Sequence, residues 1–276
     1  MDNALKIAFV CVNYNNSDIT LEYILNVIKI KKSHEVKIIV VDNASAPGDI
    51  AKLEKHVADY SDAILIRSDT NLGYFKGLNL GIDWALKNGF NQYQVVGNND
   101  IEFHDNFLEV LQNLPLSENE LIISPDIITI NGIHENPHVV KRVSPVRMLM
   151  FDIYYSNYFF AKIITSFYSE ARKPKPFDPE RKHIYMGNGA LYVLTPYFFK
   201  HFHKLWDILF LYGEEAILGG QIASVDGKIL YEPELKCNHN ESSTTSKLGS
   251  KKKYYIVRES YKVYRKYLKG NAKHTQ

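Results

Sequence analysis

The chain has 276 residues, of which 45% are hydrophobic and 23% charged, and its formal net charge is +2 at pH 7. These values are ordinary for a soluble globular protein with one large domain, and they give no reason to expect nucleic acid as a partner. Cys11 and Cys237 lie far apart without metal-ligand spacing, which excludes a disulfide framework and a zinc site and favours a reducing cytoplasm. Residues 7–12 are too short for a signal peptide, and the best membrane-span candidate, residues 146–168, contains three charged residues.

Strand-like runs and helix-like periods alternate through the first half of the chain. This alternation is typical of βαβ units, which build a mostly parallel sheet flanked by helices. The predicted strands are residues 6–12, 36–41, 63–67 and 93–96, and the predicted helices are residues 19–31, 46–60 and 72–87.

Polar side chains follow each of the four predicted strands. They are Asn13, Tyr14, Asn15 and Asn16; then Asp42, Asn43 and Ser45; then Ser68, Asp69, Thr70 and Asn71; and finally Asn98, Asn99 and Asp100. Because the carboxyl ends of parallel strands meet at one edge of a sheet, we expect these groups to converge on one crevice. Taken alone, residues 98–100 also suit a simple turn.

Beyond residue 121 the alternation ends. Residues 137–183 are rich in Tyr, Phe, Lys and Arg, which indicates a long excursion before order resumes at residues 185–190. Such an excursion is either a lid or binding element, or a disordered or simply packed insertion.

Six polar or glycine-containing segments follow one another in a fixed order along the chain: residues 12–16, 40–45, 71–73 with Gly77 and Asn79, 98–100 and 212–215, and His239. Their order resembles glycosyltransferase family 2, and within it the rhamnosyltransferase-like branch. The resemblance implies the α/β GT-A fold, with a Rossmann-like nucleotide-binding half, a nucleotide-sugar donor and a divalent cation, Mn²⁺ or Mg²⁺.

The same resemblance implies the domain organisation. Residues 1–246 form the GT-A domain. Within it, residues 1–115 are the nucleotide-binding half, residues 137–183 an acceptor-side excursion, and residues 184–246 the acceptor and catalytic part.

Two residues match metal-binding positions of the family. Asp100 stands at the last position of the family's Asp-x-Asp motif, whereas Asn98 replaces the first Asp, a loss expected to weaken metal affinity. One carboxylate suffices when water and phosphate oxygens complete the shell of a hard cation. His239 matches a position where many members have a metal-ligating or diphosphate-contacting histidine, although a lone His is more often structural.

The nucleotide-recognition positions centre on Asp42 and Tyr14. Asp42 matches the acidic residue that accepts the imide N–H of uracil or thymine, and Tyr14 stands where an aromatic ring packs on the base. Asp42 also suits an Asx turn after its strand. The remaining predicted nucleotide-sugar contacts are Asn13, Asn71, Gly73, Asn79, Asn99, Gly187 and Asn188. For Gly73, Gly77 and Gly81, spaced by four residues, close packing explains glycine as well as ligand approach does.

Glu215 is the predicted catalytic base. It matches the second acid of the family's usual Glu-Asp pair, which takes a proton from the acceptor hydroxyl; here the pair is Glu214 and Glu215. Both acids also favour a helix N-terminus, and the two roles are compatible.

These features predict an inverting, metal-dependent glycosyltransferase. Its donor would be a UDP- or dTDP-sugar and its acceptor a hydroxyl of a glycan or lipid-linked glycan, in the cytoplasm and in surface polysaccharide synthesis. The alternatives are a non-catalytic sugar-nucleotide-binding subunit and a nucleotidyltransferase. The latter would require a Gly-rich, basic phosphate loop where this chain has residues 13–16.

The C-terminal part of the chain differs in charge from the rest. Residues 247–276 contain ten Lys and Arg against the single Glu259, whereas residues 1–246 contain 23 basic and 30 acidic residues. Apolar residues at helical spacing predict an amphipathic helix here: Tyr254, Val257, Tyr261, Tyr264 and Leu268. This helix either packs on the body or lays the basic residues of segment 251–269 on an anionic membrane, holding the protein peripherally on the inner face of the cell membrane.

Overall fold

The computed structural model describes residues 4–167, 176–240 and 250–268. The strands are β1 (Lys6–Asn13), β2 (Glu35–Asn43), β3 (Ala63–Ser68), β4 (Tyr93–Asn98), β5 (Ile101–Phe103), β6 (Glu120–Thr129), β7 (Lys182–Ile184), β8 (Leu191–Leu194) and β9 (Lys228–His239). The helices are α1 (Ser17–Ile30), α2 (Pro47–Ala58), α3 (Tyr74–Lys87), α4 (Phe107–Asn113), α5 (Pro145–Ser156), α6 (Tyr158–Phe167), α7 (Phe198–His201), α8 (Glu214–Ala223) and α9 (Ser250–Leu268). The four strands and three helices predicted in the first half are all present, with ends within two residues of the prediction.

The described strands form one sheet in the order β3-β2-β1-β4-β8-β6-β9-β5, with β7 paired to β9. The first half is parallel, as predicted, because β2 and β4 both run parallel to β1 and β3 runs parallel to β2. The second half is mixed, since β8 runs antiparallel to β4 and β6 while β6 runs parallel to β9. The carboxyl ends of β1, β2 and β4 are in register, with Asn13 opposite Asp42 and Val12 opposite Asn98.

The central strands are mostly buried and rich in apolar residues because helices cover both faces of the sheet. Along β1, Phe9 faces a core that includes residues of α1 and α2, whereas Val10 faces a core that includes residues of α3. The close approach of α3 explains its glycines: a Cβ on Gly81 would lie 2.3 Å from Val10 Cγ1, and one on Gly77 would lie 3.2 Å from Val12 Cγ2. The packing alternative therefore accounts for these two positions.

The predicted excursion, residues 137–183, contains two helices in contact, α5 and α6. Residues 168–175 lie outside the described part of the chain. None of the described helices is long and apolar enough to cross a bilayer.

Helix α9 confirms the predicted C-terminal helix and packs on the body through its tyrosine side. Tyr254, Tyr261, Tyr267 and Leu268 are buried, and the helix contacts α8 and α5. Tyr261 Oη donates a hydrogen bond of 2.6 Å to Asp152 Oδ1 of α5, and Arg265 pairs with the same carboxylate. Residues 247–249 and 269–276, including Lys269 of the predicted basic face, lie outside the described residues.

Candidate active site

The polar groups after β1 and β2 meet at the carboxyl edge of the sheet. The Asn13 amide donates to Asp42 Oδ1 at 2.9 Å, to Ser45 Oγ at 3.0 Å and to Asp49 Oδ2 at 3.1 Å. These contacts follow from the parallel register of the two strands, which places Asn13 beside Asp42. The predicted convergence is confirmed for this pair, and Asp49, the third partner, was not identified from the sequence.

Asp42 is buried and oriented by the protein itself. Its Oδ2 accepts a bond of 3.1 Å from the Ser45 backbone N–H, so the Asx-type turn is present. A carboxylate offers about four acceptor sites, and these bonds orient Asp42 without exhausting them. The Tyr14 ring, by contrast, is 38% exposed beside Asn13. An exposed ring next to an oriented acceptor is the arrangement that stacking on a base and pairing with its imide would need.

Asn43 holds the loop between β3 and α3. Its amide nitrogen donates to Asn71 Oδ1 and to the Gly73 carbonyl, both at 3.0 Å, and its oxygen accepts from the Leu72 N–H. Gly73 has a φ of +85°, and a Cβ there would lie 2.2 Å from the Phe210 carbonyl oxygen. Glycine is therefore required by backbone geometry and by packing against residue 210, while Asn71 shapes the same loop.

Two predicted donor contacts have scaffolding roles instead. The Asn79 amide pairs with both the N–H and the C=O of Leu205, each at 2.9 Å, so it secures that loop rather than facing Asp100. A Cβ on Gly187 would lie 2.3 Å from Ser124 Oγ, and the Tyr192 hydroxyl donates to the Gly187 carbonyl. Leu205 and Ser124 are far from Asn79 and Gly187 in sequence, so no local pattern indicates these two contacts.

Asn99 anchors the turn that carries Asp100. Its amide nitrogen donates to Asn16 Oδ1 at 2.9 Å and to Thr20 Oγ1 at 2.6 Å, and its oxygen accepts from Asn16. Thr20 Oγ1 in turn donates to Asn13 Oδ1 at 2.8 Å. A continuous hydrogen-bond chain therefore joins the Asp100 turn to Asn13 and Asp42. Asn99 acts in it as a positioning residue, a role that its predicted donor contact did not include.

Asp100 and His239 come together because β5, which follows Asp100 directly, pairs with the end of β9. His239 Nε2 lies 3.4 Å from Asp100 Oδ1, and Asp100 is only 7% exposed. Asn98 Nδ2 is also 3.4 Å from His239 Nε2. The two predicted metal-binding residues are thus neighbours.

Glu135 orients His239 and was not identified from the sequence. Its Oε2 lies 2.8 Å from His239 Nδ1, and its Oε1 accepts a bond of 3.0 Å from Asn188 Nδ2. Burial lowers the pKa of His239, but the hydrogen bonds to Asp100 and Glu135 outweigh burial and raise that pKa to about 10. Glu135 lies in an irregular segment without a motif, so no sequence signal pointed to it.

This donor set fits a divalent cation as part of its coordination shell. A carboxylate and an imidazole nitrogen are ligands that Mn²⁺ accepts, and a carboxylate on Nδ1 is the usual way of directing Nε2 at a metal. Within the described residues, no group of three or more His, Cys, Asp or Glu side chains is arranged to hold a metal ion. A cation here would therefore need the remaining ligands from the diphosphate of a donor and from water.

A cavity of about 340 Å³ adjoins Asp100. Its lining includes three carboxylates, which favour a cation over an anion there. The lining residues are Ile19, Glu22, Tyr23, Asn26, Asn99, Asp100, Ile101, Glu102 and Asn240. A separate cavity of about 260 Å³, lined by residues of β7 and α8, includes none of the predicted site residues.

Glu215 lies in the first turn of α8, after Tyr212 and Gly213, which both have positive φ. Its Oε1 lies 2.7 Å from where a Cβ on Gly189 would stand, so the missing side chain at Gly189 admits the carboxylate. The segment containing Gly189 also carries Asn188, the partner of Glu135. The predicted base is thereby brought to the side of the site that holds His239.

Glu214 and Glu215 have different surroundings. Glu214 is buried, and its Oε1 has no hydrogen-bond partner among the described residues, whereas Glu215 is half-buried. Burial, and then the charge of Glu215, raise the pKa of Glu214 to about 8. Glu214 therefore holds its proton to a higher pH than an ordinary Glu does, and its burial leaves Glu215 as the more accessible acid of the pair.

The sequence matches the family model of glycosyl transferase family 2 over residues 9–185, which is more than half of the chain. No curated protein is similar enough in sequence to match.

Solved structures share the fold at low sequence identity. A mannosyltransferase from Pyrobaculum calidifontis, in complex with GDP-Man and Mn²⁺, is 14% identical with a TM-score of 0.55, over 88% of this chain and 59% of its own. GalNAc-T7 with UDP, GalNAc and Mn²⁺ is 17% identical with a TM-score of 0.59, over 87% and 44%. S. aureus TarS 1-349 is 12% identical with a TM-score of 0.53, over 86% and 61%. The chain spans about half of the length of these proteins, and the likeness shows the α/β GT-A fold.

Proposed function

The chain belongs to glycosyl transferase family 2 and is a glycosyltransferase, and we propose that it transfers a sugar with inversion from a UDP- or dTDP-sugar to a hydroxyl group. The observation that carries the proposal is the meeting of three groups at one edge of the sheet. Asp42 lies beside Asn13, Asp100 lies beside His239, and Glu215 lies against Gly189. The hydrogen bonds through Asn99 and Thr20 join the first two groups into one framework.

Asp42 and Tyr14 recognise the base in this proposal. The Asp42 carboxylate accepts a hydrogen bond from the imide N3–H of uracil or thymine. Cytosine carries no hydrogen on N3 and cannot donate this bond. The exposed Tyr14 ring stacks on the base. The Asn13 amide and the Ser45 N–H keep Asp42 oriented before the donor binds.

Asp100 and His239 would hold the divalent cation, Mn²⁺ or Mg²⁺, with the cation displacing the proton that the raised pKa of His239 keeps on its ring without metal. When bound, the cation supplies positive charge that neutralises the leaving diphosphate. Glu135 keeps Nδ1 of His239 engaged, so that Nε2 faces Asp100 and the donor. Asn99 keeps the Asp100 turn fixed against α1, a preorganisation that avoids rearrangement during the reaction.

Glu215 takes the proton from the acceptor hydroxyl as that oxygen attacks the anomeric carbon. Attack occurs opposite the leaving diphosphate, so the configuration at the anomeric carbon inverts. Burial raises the pKa of Glu214 and covers its carboxylate, which leaves Glu215 as the more exposed acid of the pair and the one an acceptor hydroxyl can reach.

The acceptor is proposed to be a glycan or lipid-linked glycan of a surface polysaccharide. The protein would work in the cytoplasm at the inner face of the membrane, where the basic residues of α9 contact anionic lipid. Membership of the rhamnosyltransferase-like branch belongs to this proposal as well.

The test is donor binding and donor hydrolysis with a panel of nucleotide sugars. A bound donor raises the melting temperature by mass action, and released nucleotide reports the chemistry. We expect UDP- or dTDP-sugars, but not CDP-sugars, to protect the wild type, and Asp42→Asn to lose that protection. Protection without any nucleotide release, with acceptor extracts and Mn²⁺ present, would instead identify a non-catalytic sugar-nucleotide-binding subunit.

A further inference from the structure

Large apolar side chains are exposed together on α5 and α6. Seven of the exposed large hydrophobic residues in the described chain fall between residues 146 and 163. They are Val146, Leu149, Met150 and Ile153 on α5, and Phe159, Phe160 and Ile163 on α6. Val146 is 71% exposed, Phe159 64% and Leu149 60%. Single exposed apolar residues are normal on a protein surface, but a contiguous group marks a binding surface.

Helix α5 is apolar on two faces. One face packs on the body: Met148 is buried, and Tyr155 stacks on Tyr261 of α9 with ring centroids 4.5 Å apart. The exposed residues lie on another face, because positions 146, 149, 150 and 153 follow helical spacing. A helix at a water-facing surface normally has one apolar face, so the second apolar face of α5 requires a partner other than water.

The charges around this exposed surface are positive. Asp152 is the only acid between residues 145 and 167, and it points toward α9, where it binds Arg265 and Tyr261. Lys162 and Lys251 both lie over the Tyr158 ring, with Nζ 5.4 Å and 5.8 Å from its centroid. Lys251, Lys252 and Lys253, at the start of α9, are all exposed.

We propose that the α5–α6 hairpin is the membrane-docking surface of this protein and takes an anionic bilayer as its partner. The seven apolar side chains enter the boundary between headgroups and acyl chains, and the lysines beside them contact anionic headgroups. Neither helix is long enough to span the bilayer, so the contact is peripheral. The tyrosine side of α9 is buried in protein, so α9 can offer the membrane only its charged side chains. The apolar area that enters the membrane comes from the hairpin.

The docking surface connects physically to the predicted base. Helix α9 lies between the hairpin and the α8 turn: its Tyr261 stacks on Tyr155, and its Tyr264 ring fills the space that a Cβ on Gly213 would occupy, 2.2 Å away. A membrane held by the hairpin would therefore lie at a fixed distance from Glu215. The idea that this membrane contact brings a lipid-linked acceptor to Glu215 rests on the proposed function, whereas the binding of the hairpin to a membrane does not.

The test compares two double variants in flotation with vesicles. Leu149→Asn with Phe159→Asn removes apolar area from the hairpin. Leu25→Asn with Ile130→Asn, at exposed positions elsewhere (45% and 71%), is the matched control. On phosphatidylglycerol vesicles we expect the hairpin variant to lose binding by about tenfold or more and the control to bind like the wild type. Equal binding by both variants would overturn the proposal, and melting temperatures identify any variant that fails to fold.

The salt dependence of vesicle binding distinguishes the contribution of the hairpin from that of the lysines. Raising the salt to about 0.5 M screens the headgroup attraction, so Lys251→Gln, Lys252→Gln and Lys253→Gln together should abolish only the salt-sensitive part of binding. The salt-resistant part should vanish in the hairpin variant. Complete release of the wild type at this salt concentration would assign binding to the lysines alone and refute apolar insertion.

A conservative variant reports insertion directly. Phe159→Trp should show a blue shift of its fluorescence and quenching by brominated lipid, above the signal of Trp84 and Trp206, whereas Ile130→Trp should not.

A dimer is the other outcome. If no vesicle binding occurs and light scattering shows a dimer that the hairpin variant dissociates, the surface is an interface between two copies of the chain. All these measurements are made without donor, so their failure leaves donor hydrolysis in solution, and with it the proposed function, unaffected.

Discussion

The buried carboxyl of Glu214 predicts how stability depends on pH. Its pKa in the folded protein is raised to about 8, first by burial and then by Glu215, from an ordinary value near 4.5 that applies in the unfolded chain. Between these two values the folded state holds a proton that the unfolded state releases. The free energy of unfolding therefore falls as the pH rises from about 4.5 to about 8, and it is unaffected by this group below that window.

The size of the effect follows from the size of the shift. Each unit of pKa difference corresponds to about 1.4 kcal/mol, so Glu214 costs at most about 5 kcal/mol of stability above pH 8. Glu214→Gln removes the ionisation and keeps the shape. At roughly 2 °C per kcal/mol for a chain of this size, the variant should melt above the wild type at pH 9, by up to about 10 °C. At pH 5 the two should melt at nearly the same temperature.

The assay is thermal unfolding of wild type and Glu214→Gln from pH 5 to pH 9. Glu118→Gln is the control, because Glu118 is an exposed surface acid paired with Lys200. A difference in melting temperature between wild type and Glu214→Gln that stays constant across this range would show that Glu214 does not hold a proton in the folded state. The preference for Glu215 over Glu214 as the base would then rest on exposure alone.

Three further predictions concern the reaction. Asp100→Ala is expected to abolish transfer and weaken donor binding in Mn²⁺ or Mg²⁺; wild-type rates in chelator would refute the metal assignment. Glu215→Gln should leave donor affinity almost intact and slow transfer by roughly 10²-fold or more, and a larger loss in Glu214→Gln would move the base to Glu214. Gly189→Ala places a Cβ 2.7 Å from Glu215 Oε1, so it should displace that carboxylate and slow donor hydrolysis by roughly tenfold or more with little change in melting temperature. Gly48→Ala, where no atom lies within 4 Å, is its control, and an unchanged rate in Gly189→Ala would mean that Glu215 acts from another position.

The parts of the fold that depend on local sequence were predictable. Strands β1, β2 and β4 are mostly buried runs ended by polar groups, and β3 is a partly buried one. Parallel pairing then requires their carboxyl ends to meet, which placed Asp42 beside Asn13. The mixed second half of the sheet was not predictable, because the antiparallel insertion of β8 between β4 and β6 leaves no periodic signal in the chain.

The roles of individual site residues were predictable only where a motif assigned them. Asp100 and His239 are neighbours as expected, but Glu135, which orients His239, lies in a segment without periodicity or motif. Asn79 shows the opposite case, since its motif position predicts a ligand contact and its amide also pairs with the Leu205 backbone. In both cases the contact joins residues that are far apart in the sequence, Glu135 with His239 and Asn79 with Leu205, so no local pattern indicates it.

The C-terminal helix shows why packing and membrane contact are compatible. The residues that bury α9, such as Tyr261 and Tyr267, lie on its side toward α5 and α8, whereas the lysines at its start are exposed. Removing the chain after residue 246 would uncover the apolar surface under these tyrosines, so lost vesicle binding in a truncated protein would not separate lost charge from lost structure. Substituting Lys251, Lys252 and Lys253 changes the charge and leaves that packing in place, and it is therefore the perturbation that assigns a membrane role to α9.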